Sequence, residues 1–135
     1  MERMKILLVE DEVLIAMEQS FYLEAAGHEV HGPASTSEKA LLLAQEVKPD
    51  LALVDIHLAQ GSSGIDAARR MTALGIPCLF VTSYREEVEP TREYGVGCLP
   101  KPFSQTSLVS AVEAVSAILA GRTPTKVPDT MELFS

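Results

Sequence analysis

The 135-residue chain is long enough for one domain with one core. Its formal net charge of −8 argues against non-specific binding to DNA or to an anionic membrane surface, and no apolar stretch approaches membrane-spanning length. Hydrophobic residues make up 47% of the chain and aromatics 5%, with no tryptophan, so an aliphatic core is expected.

The start, MERMKILLVEDE, is a charged lead into a strand-like run and not a signal peptide. KILLVE (5–10) reads as a buried strand ended by acids. VLIAMEQSFYLEAAG (13–27) reads as a helix, with Leu14, Met17 and Phe21 at helical spacing and Gly27 as a stop. HEVHG (28–32) is a weak second strand whose His28 and His31 read as surface residues. STSEKALLLAQEV (35–47) opens with Ser35 and carries Glu38 three residues on, the spacing of a capping box. LALVDI (51–56) is the third strand, SSGIDAARRMTALG (62–75) a helix stopping at Gly75, CLFVTS (78–83) the fourth strand and GCLP (97–100) a short fifth. The segment YREEVEPTREYG (84–95) is highly charged and carries Pro90, so a short, irregular or mobile element is predicted there. SQTSLVSAVEAVSAILAG (104–121) is the clearest helix, with Leu108, Val112, Val115 and Leu119 on one stripe.

After Gly121 the tail RTPTKVPDTMELFS (122–135) has two prolines and no clear period. It is predicted to be flexible, beyond a domain of residues 1–121. Met131, Leu133 and Phe134 could dock on a surface that the sequence does not identify, and the tail's length and apolar end point to a complete single-domain protein. Cys78 and Cys98 lie in apolar stretches and read as reduced, packed thiols of a cytoplasmic protein, since a zinc site would need more ligands at closer spacing.

Strands alternating with helices predict an α/β domain, a parallel sheet with helices on both faces. Ligands of such sheets bind outside the carboxyl ends of the strands. Those ends carry Glu10 and Asp11 after the first strand (with Glu12 next in the chain), Asp55 after the third, Thr82 and Ser83 on the fourth, and Lys101 after the fifth. Singly each has a bland reading: Asp55 a helix cap, Glu10 and Asp11 a solvated pair, Thr82 a β-former. Together they put three acids, a hydroxyl and an ammonium at one sheet edge. Crowded carboxylates favour a cation, hard oxygen ligands with open positions suit Mg²⁺, and aspartate is a competent nucleophile toward phosphorus. Mg²⁺ and Lys101 would neutralise the phosphoryl oxygens, which is most of what phosphoryl transfer needs. Other phosphate chemistries fit poorly. The chain reads Asp55, Ile56, His57 where a dehalogenase-type site has a second aspartate. Cys78 and Arg85 are separated by six residues, one too many for a cysteine phosphatase loop, and there is no glycine-rich phosphate loop.

The ordered set LLVEDE, PDLALVDIHL, FVTSY and LPKPF resembles the receiver domain of bacterial two-component response regulators, over about residues 4–120. The resemblance implies a flavodoxin-like (βα)5 fold of five parallel strands in the order 2-1-3-4-5, which chemotaxis receivers share with flavodoxin. It implies that Asp55 is the phosphoacceptor. Asp11 would hold Mg²⁺ directly and Glu10 through water, with Asp55 and the backbone carbonyl of His57 completing the protein ligands. Thr82 and Lys101 would bind the phosphoryl group. The donor would be a sensor histidine kinase or a histidine phosphotransfer protein. The protein would be no enzyme toward a separate substrate, though it assists its own phosphorylation and dephosphorylation. Its output would be changed protein contacts at the surface of the 84–95 segment, the fifth strand and the last helix, without nucleic acid or membrane insertion, as a monomer or weak dimer. A pseudo-receiver, binding without phosphorylation, is the alternative, and the complete acid, threonine and lysine set argues against it. Two departures stand out. The aromatic three residues before the lysine is replaced by Cys98, and FVTSY is similar to a variant of the Phe-Ala-Thr-Gly motif of FAT GUY receivers, with Val81, Ser83 and Tyr84 as its changed or following residues. Tyr84, Ser83 and Cys98 are therefore the switch candidates.

Overall fold

The computed structural model describes residues 3–83 and 92–134. Along them run β1 (Lys5–Val9), α1 (Val13–Ala25), β2 (Glu29–Ala34), α2 (Ser37–Val47), β3 (Leu51–Val54), α3 (Gly64–Ala73), β4 (Cys78–Thr82), β5 (Gly97–Pro100), α4 (Gln105–Leu119) and β6 (Glu132–Leu133), with a 3₁₀ turn at Ala59–Gly61. The predicted irregular element between β4 and β5 falls mostly outside the described residues, as does Tyr84; Arg92, Glu93 and Tyr94 form a turn.

Successive side chains of a strand leave opposite faces of the sheet, and here both faces are apolar. Ile6, Leu8, Leu51, Leu53, Leu79 and Val81 enter one layer, where Leu23 of α1 and Leu108, Val112 and Val115 of α4 meet them. Leu7, Val9, Ala52, Val54, Cys78 and Phe80 enter the other, under Ala40 and Ala44 of α2 and Ala67, Ala68 and Met71 of α3. Short side chains on α2 and α3 let those helices lie close to the sheet.

The sheet order is β2-β1-β3-β4-β5-β6. The five predicted strands are parallel in the predicted order. The strand count is corrected to six, because the tail returns antiparallel to β5, pairing Leu133 with Gly97 and Glu132 with Cys98. The Phe134 N–H donates to the Val96 carbonyl at 3.0 Å, and Met131 is buried in the layer under α4. The segment Met131-Glu132-Leu133-Phe134 alternates with the period of a strand, too short a signal to rise above the prolines before it.

Other sequence expectations shift. The Leu14, Met17 and Phe21 stripe that signals α1 faces outward, with exposures of 80%, 62% and 67%; Ala16, Gln19 and Leu23 are the buried residues. Helical spacing reveals a helix but not which of two interleaved stripes is turned inward. The cap of α2 is Thr36, whose hydroxyl accepts from the Lys39 N–H at 3.2 Å, not Ser35. His28 is not a surface residue. It is buried, its Nδ1 accepts from the Met4 N–H at 3.0 Å, and burial lowers its pKa against a smaller raising effect of Glu113.

Large-to-small changes test these placements. Leu108→Ala is expected to cost about 2–4 kcal/mol in urea-unfolding stability, whereas Leu14→Ala stays within about 0.5 kcal/mol of wild type.

Candidate functional site

The sheet's hydrogen bonding runs one residue past the strands and fixes where the polar side chains begin. The Glu10 N–H donates to the Ala34 carbonyl at 2.9 Å, the Asp55 N–H to the Val9 carbonyl at 3.0 Å, and the Lys101 N–H to the Thr82 carbonyl at 3.0 Å. Each residue follows a run of buried apolar positions, so its side chain starts inside the protein and must find a partner there.

The partners are one another. Glu10 and Asp55 are 2% and 5% exposed. The Lys101 ammonium donates to Glu10 Oε1 at 2.8 Å and to Asp55 Oδ2 at 2.9 Å, with Glu12 Oε1 at 4.0 Å. Thr82 is fully buried at the end of β4, in register with Pro100 of β5. Asp11 lies at the exposed rim, and Glu10, Asp11 and Asp55 each bring a carboxylate oxygen within 4.8 Å of the others. The second Asp55 oxygen, Oδ1, is buried and accepts no hydrogen bond.

This cluster is short of positive charge. Burial, reinforced by the charge of Asp55, pushes the Glu10 carboxyl up to about 7 against the opposing bonds from Lys101 and the Glu12 N–H. Burial would lower Lys101, but its bonds to Glu10 and Asp55 prevail and raise it. An orphaned carboxylate oxygen beside two further carboxylates is a donor set that fits a hard divalent cation.

The remaining candidates lie further out. His57 is exposed and its backbone bridges to Ser63. Ser83 is exposed just past β4. Cys98 is buried opposite Phe80. The Cys78 thiol is pushed up to about 12 by burial, which excludes it as a nucleophile near neutrality. Sequence reasoning missed Gly64. A Cβ there would come within 1.7 Å of the Asp55 carbonyl oxygen, and its N–H donates to the Ile56 carbonyl at 2.7 Å. Glycine at this first position of α3 brings the Ser63-capped helix start against the backbone of the site. The signal was the glycine directly after the Ser62-Ser63 pair.

A doubly wound α/β domain with acids, a hydroxyl and an ammonium gathered at its strand ends is built to receive a charged group at that edge. The chain belongs to the response regulator receiver domain family, whose model matches residues 6–113. It is 42% identical over 111 residues to the phyllosphere-induced regulator PhyR of Methylorubrum extorquens, covering 80% of this chain and 41% of that protein. It is 36% identical over 113 residues to the transcriptional regulatory protein PdtaR of Mycobacterium tuberculosis, covering 81% and 55%. The solution structure of the Erythrobacter litoralis PhyR receiver domain superposes with a TM-score of 0.77 at 31% identity, covering 93% of this chain and 97% of that one. The chain thus spans about half the length of the curated relatives it matches. Receiver domains are signalling modules of two-component systems. Among the described residues no helix is long and apolar enough to cross a membrane.

The raised Glu10 pKa has a measurable sign. Between pH 4.5 and about 7 the unfolded chain has given up a proton that the folded, metal-free protein keeps, so stability from this group falls as pH rises through that window. Glu10→Gln is expected to remove that decline, leaving the metal-free variant more stable than wild type at pH 8 in chemical denaturation monitored by circular dichroism.

Proposed function

We propose that this receiver domain accepts a phosphoryl group on Asp55 from the phosphohistidine of a sensor histidine kinase or phosphotransfer protein. The observation that carries the reading is the Asp55 carboxylate itself: one oxygen held by Lys101 at 2.9 Å, the other buried and without a hydrogen-bond partner. In the transfer an Asp55 oxygen attacks phosphorus in line as the P–N bond breaks. The product is an acyl phosphate, and the electron pair leaves with the donor's imidazole nitrogen. Glu10, Asp11, Asp55 and the backbone carbonyl of His57 are the groups that would hold Mg²⁺, which supplies charge neutralisation for the phosphoryl oxygens when bound. Lys101 already points its ammonium at Asp55 and needs only to shift onto a phosphoryl oxygen. The Thr82 hydroxyl donates to another. The domain speeds its own phosphorylation and hydrolysis and turns over no separate substrate.

The donor's approach is favoured along α1. Val13, Leu14, Met17 and Phe21 form an exposed apolar stripe that begins one residue after the acids. A helical donor laid on that stripe brings its histidine to the acidic edge. The cytoplasm is where such a donor would be met.

Incubation with acetyl phosphate and Mg²⁺, followed by intact-mass spectrometry, tests the reading. One phosphoryl group is expected on wild type, none on Asp55→Asn, and none when EDTA is present. An adduct that survives Asp55→Asn refutes the assignment. No adduct from either a small donor or a phosphorylated kinase, together with no Mg²⁺ binding by calorimetry, makes the domain a pseudo-receiver.

A further inference from the structure

β6 is a stub. It contributes two ladder residues, Glu132 and Leu133. So short a strand is marginal by itself. What holds it is specific. Met131 is 8% exposed in the layer under α4, Phe134 packs against the apolar layer on the opposite face, and Glu132 pairs with the Arg92 guanidinium. That same guanidinium stands 5.1 Å from the Phe134 ring centroid, a cation–π distance.

The receiving strand is shaped for this approach. β5 begins at Gly97, and a Cβ there would lie 2.6 Å from the Glu132 carbonyl oxygen and 3.4 Å from Met131 Cε. Glycine inside a strand weakens it and marks a place where another backbone comes close. Without the tail, β5 is an edge strand with unpaired backbone groups, the kind of rim that accepts a foreign strand.

The rim is also wired to the site. β5 is four residues long and leads directly into Lys101, whose ammonium is bound to Asp55. Arg92, the latch on Glu132 and Phe134, belongs to the connection that leaves β4 at Thr82. The receiving strand therefore ends on a phosphoryl-binding candidate.

We propose that the β5 rim is a strand-docking surface whose resident occupant is the chain's own residues 131–134, and that phosphorylation of Asp55 frees it for a partner's extended segment of the same apolar–acid–apolar–aromatic order. Its trigger rests on the phosphoacceptor reading, while the surface does not. Linkage makes the coupling reciprocal: what loosens the tail also shifts the phosphorylation equilibrium.

The probe is a fluorescein-labelled peptide of residues 127–135, titrated by fluorescence anisotropy against the full chain. Met131→Asp bares the rim, and the double variant Glu132→Lys with Phe134→Ser does so without touching a buried side chain. Either variant, folded by circular dichroism, is expected to bind the peptide about tenfold more tightly than wild type, and adding Gly97→Ala is expected to abolish that binding. Folded, tail-released variants that ignore the peptide overturn the docking surface. Wild type is then titrated after acetyl phosphate treatment, with the adduct checked by mass. An adduct with about tenfold tighter peptide binding supports the trigger, and an adduct with unchanged binding overturns it. Absence of an adduct with both acetyl phosphate and a phosphorylated kinase, together with no Mg²⁺ binding, instead refutes the phosphoacceptor reading, and the unphosphorylated variants still decide the surface.

Discussion

The Lys101 ammonium, wedged between the carboxylates of Glu10 and Asp55 at 2.8 and 2.9 Å, ties together the ends of three strands that are far apart in sequence. An isolated carboxylate at either position would be buried without compensation, at a cost of several kcal/mol. With the lysine present the charges become tolerable but not balanced, since two buried acids face one base. That shortfall appears in the raised Glu10 pKa and in the lone Asp55 oxygen that accepts no hydrogen bond. Such a site is poised for an added cation and an added phosphoryl group, and it contributes less to the stability of the unmodified fold than its contacts suggest.

Much of this was legible because buried strands have few ways to end. A run such as Leu51–Val54 that stops on Asp55 sets a charge at the rim of the core, and the same happens at Val9 with Glu10 and at Pro100 with Lys101. One-dimensional pattern thus placed the five strands and set these charged residues at their ends, while the strand order was implied by the resemblance to receiver domains. It did not reveal that Glu10 would be as deeply buried as Asp55, because that depends on where β2 ends: the Ala34 carbonyl takes the Glu10 N–H and holds its backbone in the sheet.

The misreadings share a cause. The outward stripe of α1, the buried His28 and the tail strand are all settled by tertiary partners. Leu108 and Val112 of α4 share the layer that Leu23 of α1 enters, the Met4 N–H secures the imidazole, and Gly97 leaves room for β6. Each partner is remote in sequence, and none of the segments carries a period long enough to announce it. Gly64 escaped for a related reason: a glycine at a helix start reads as punctuation until the Asp55 backbone is seen against it.

The two rims of the sheet differ in permanence. On the β2 side, Pro33 has no backbone N–H to offer a neighbour and sits exposed beside Gly32, so that rim is blunted by covalent structure. On the β5 side the cover is a two-residue strand of the same chain. A molecule with one conditional rim risks growing its sheet with further copies of itself whenever the cover lifts. The surplus of eight negative charges works against that self-association. Colloidal repulsion between like molecules would then let an opened rim discriminate a partner from a second copy, and would weaken as salt rises.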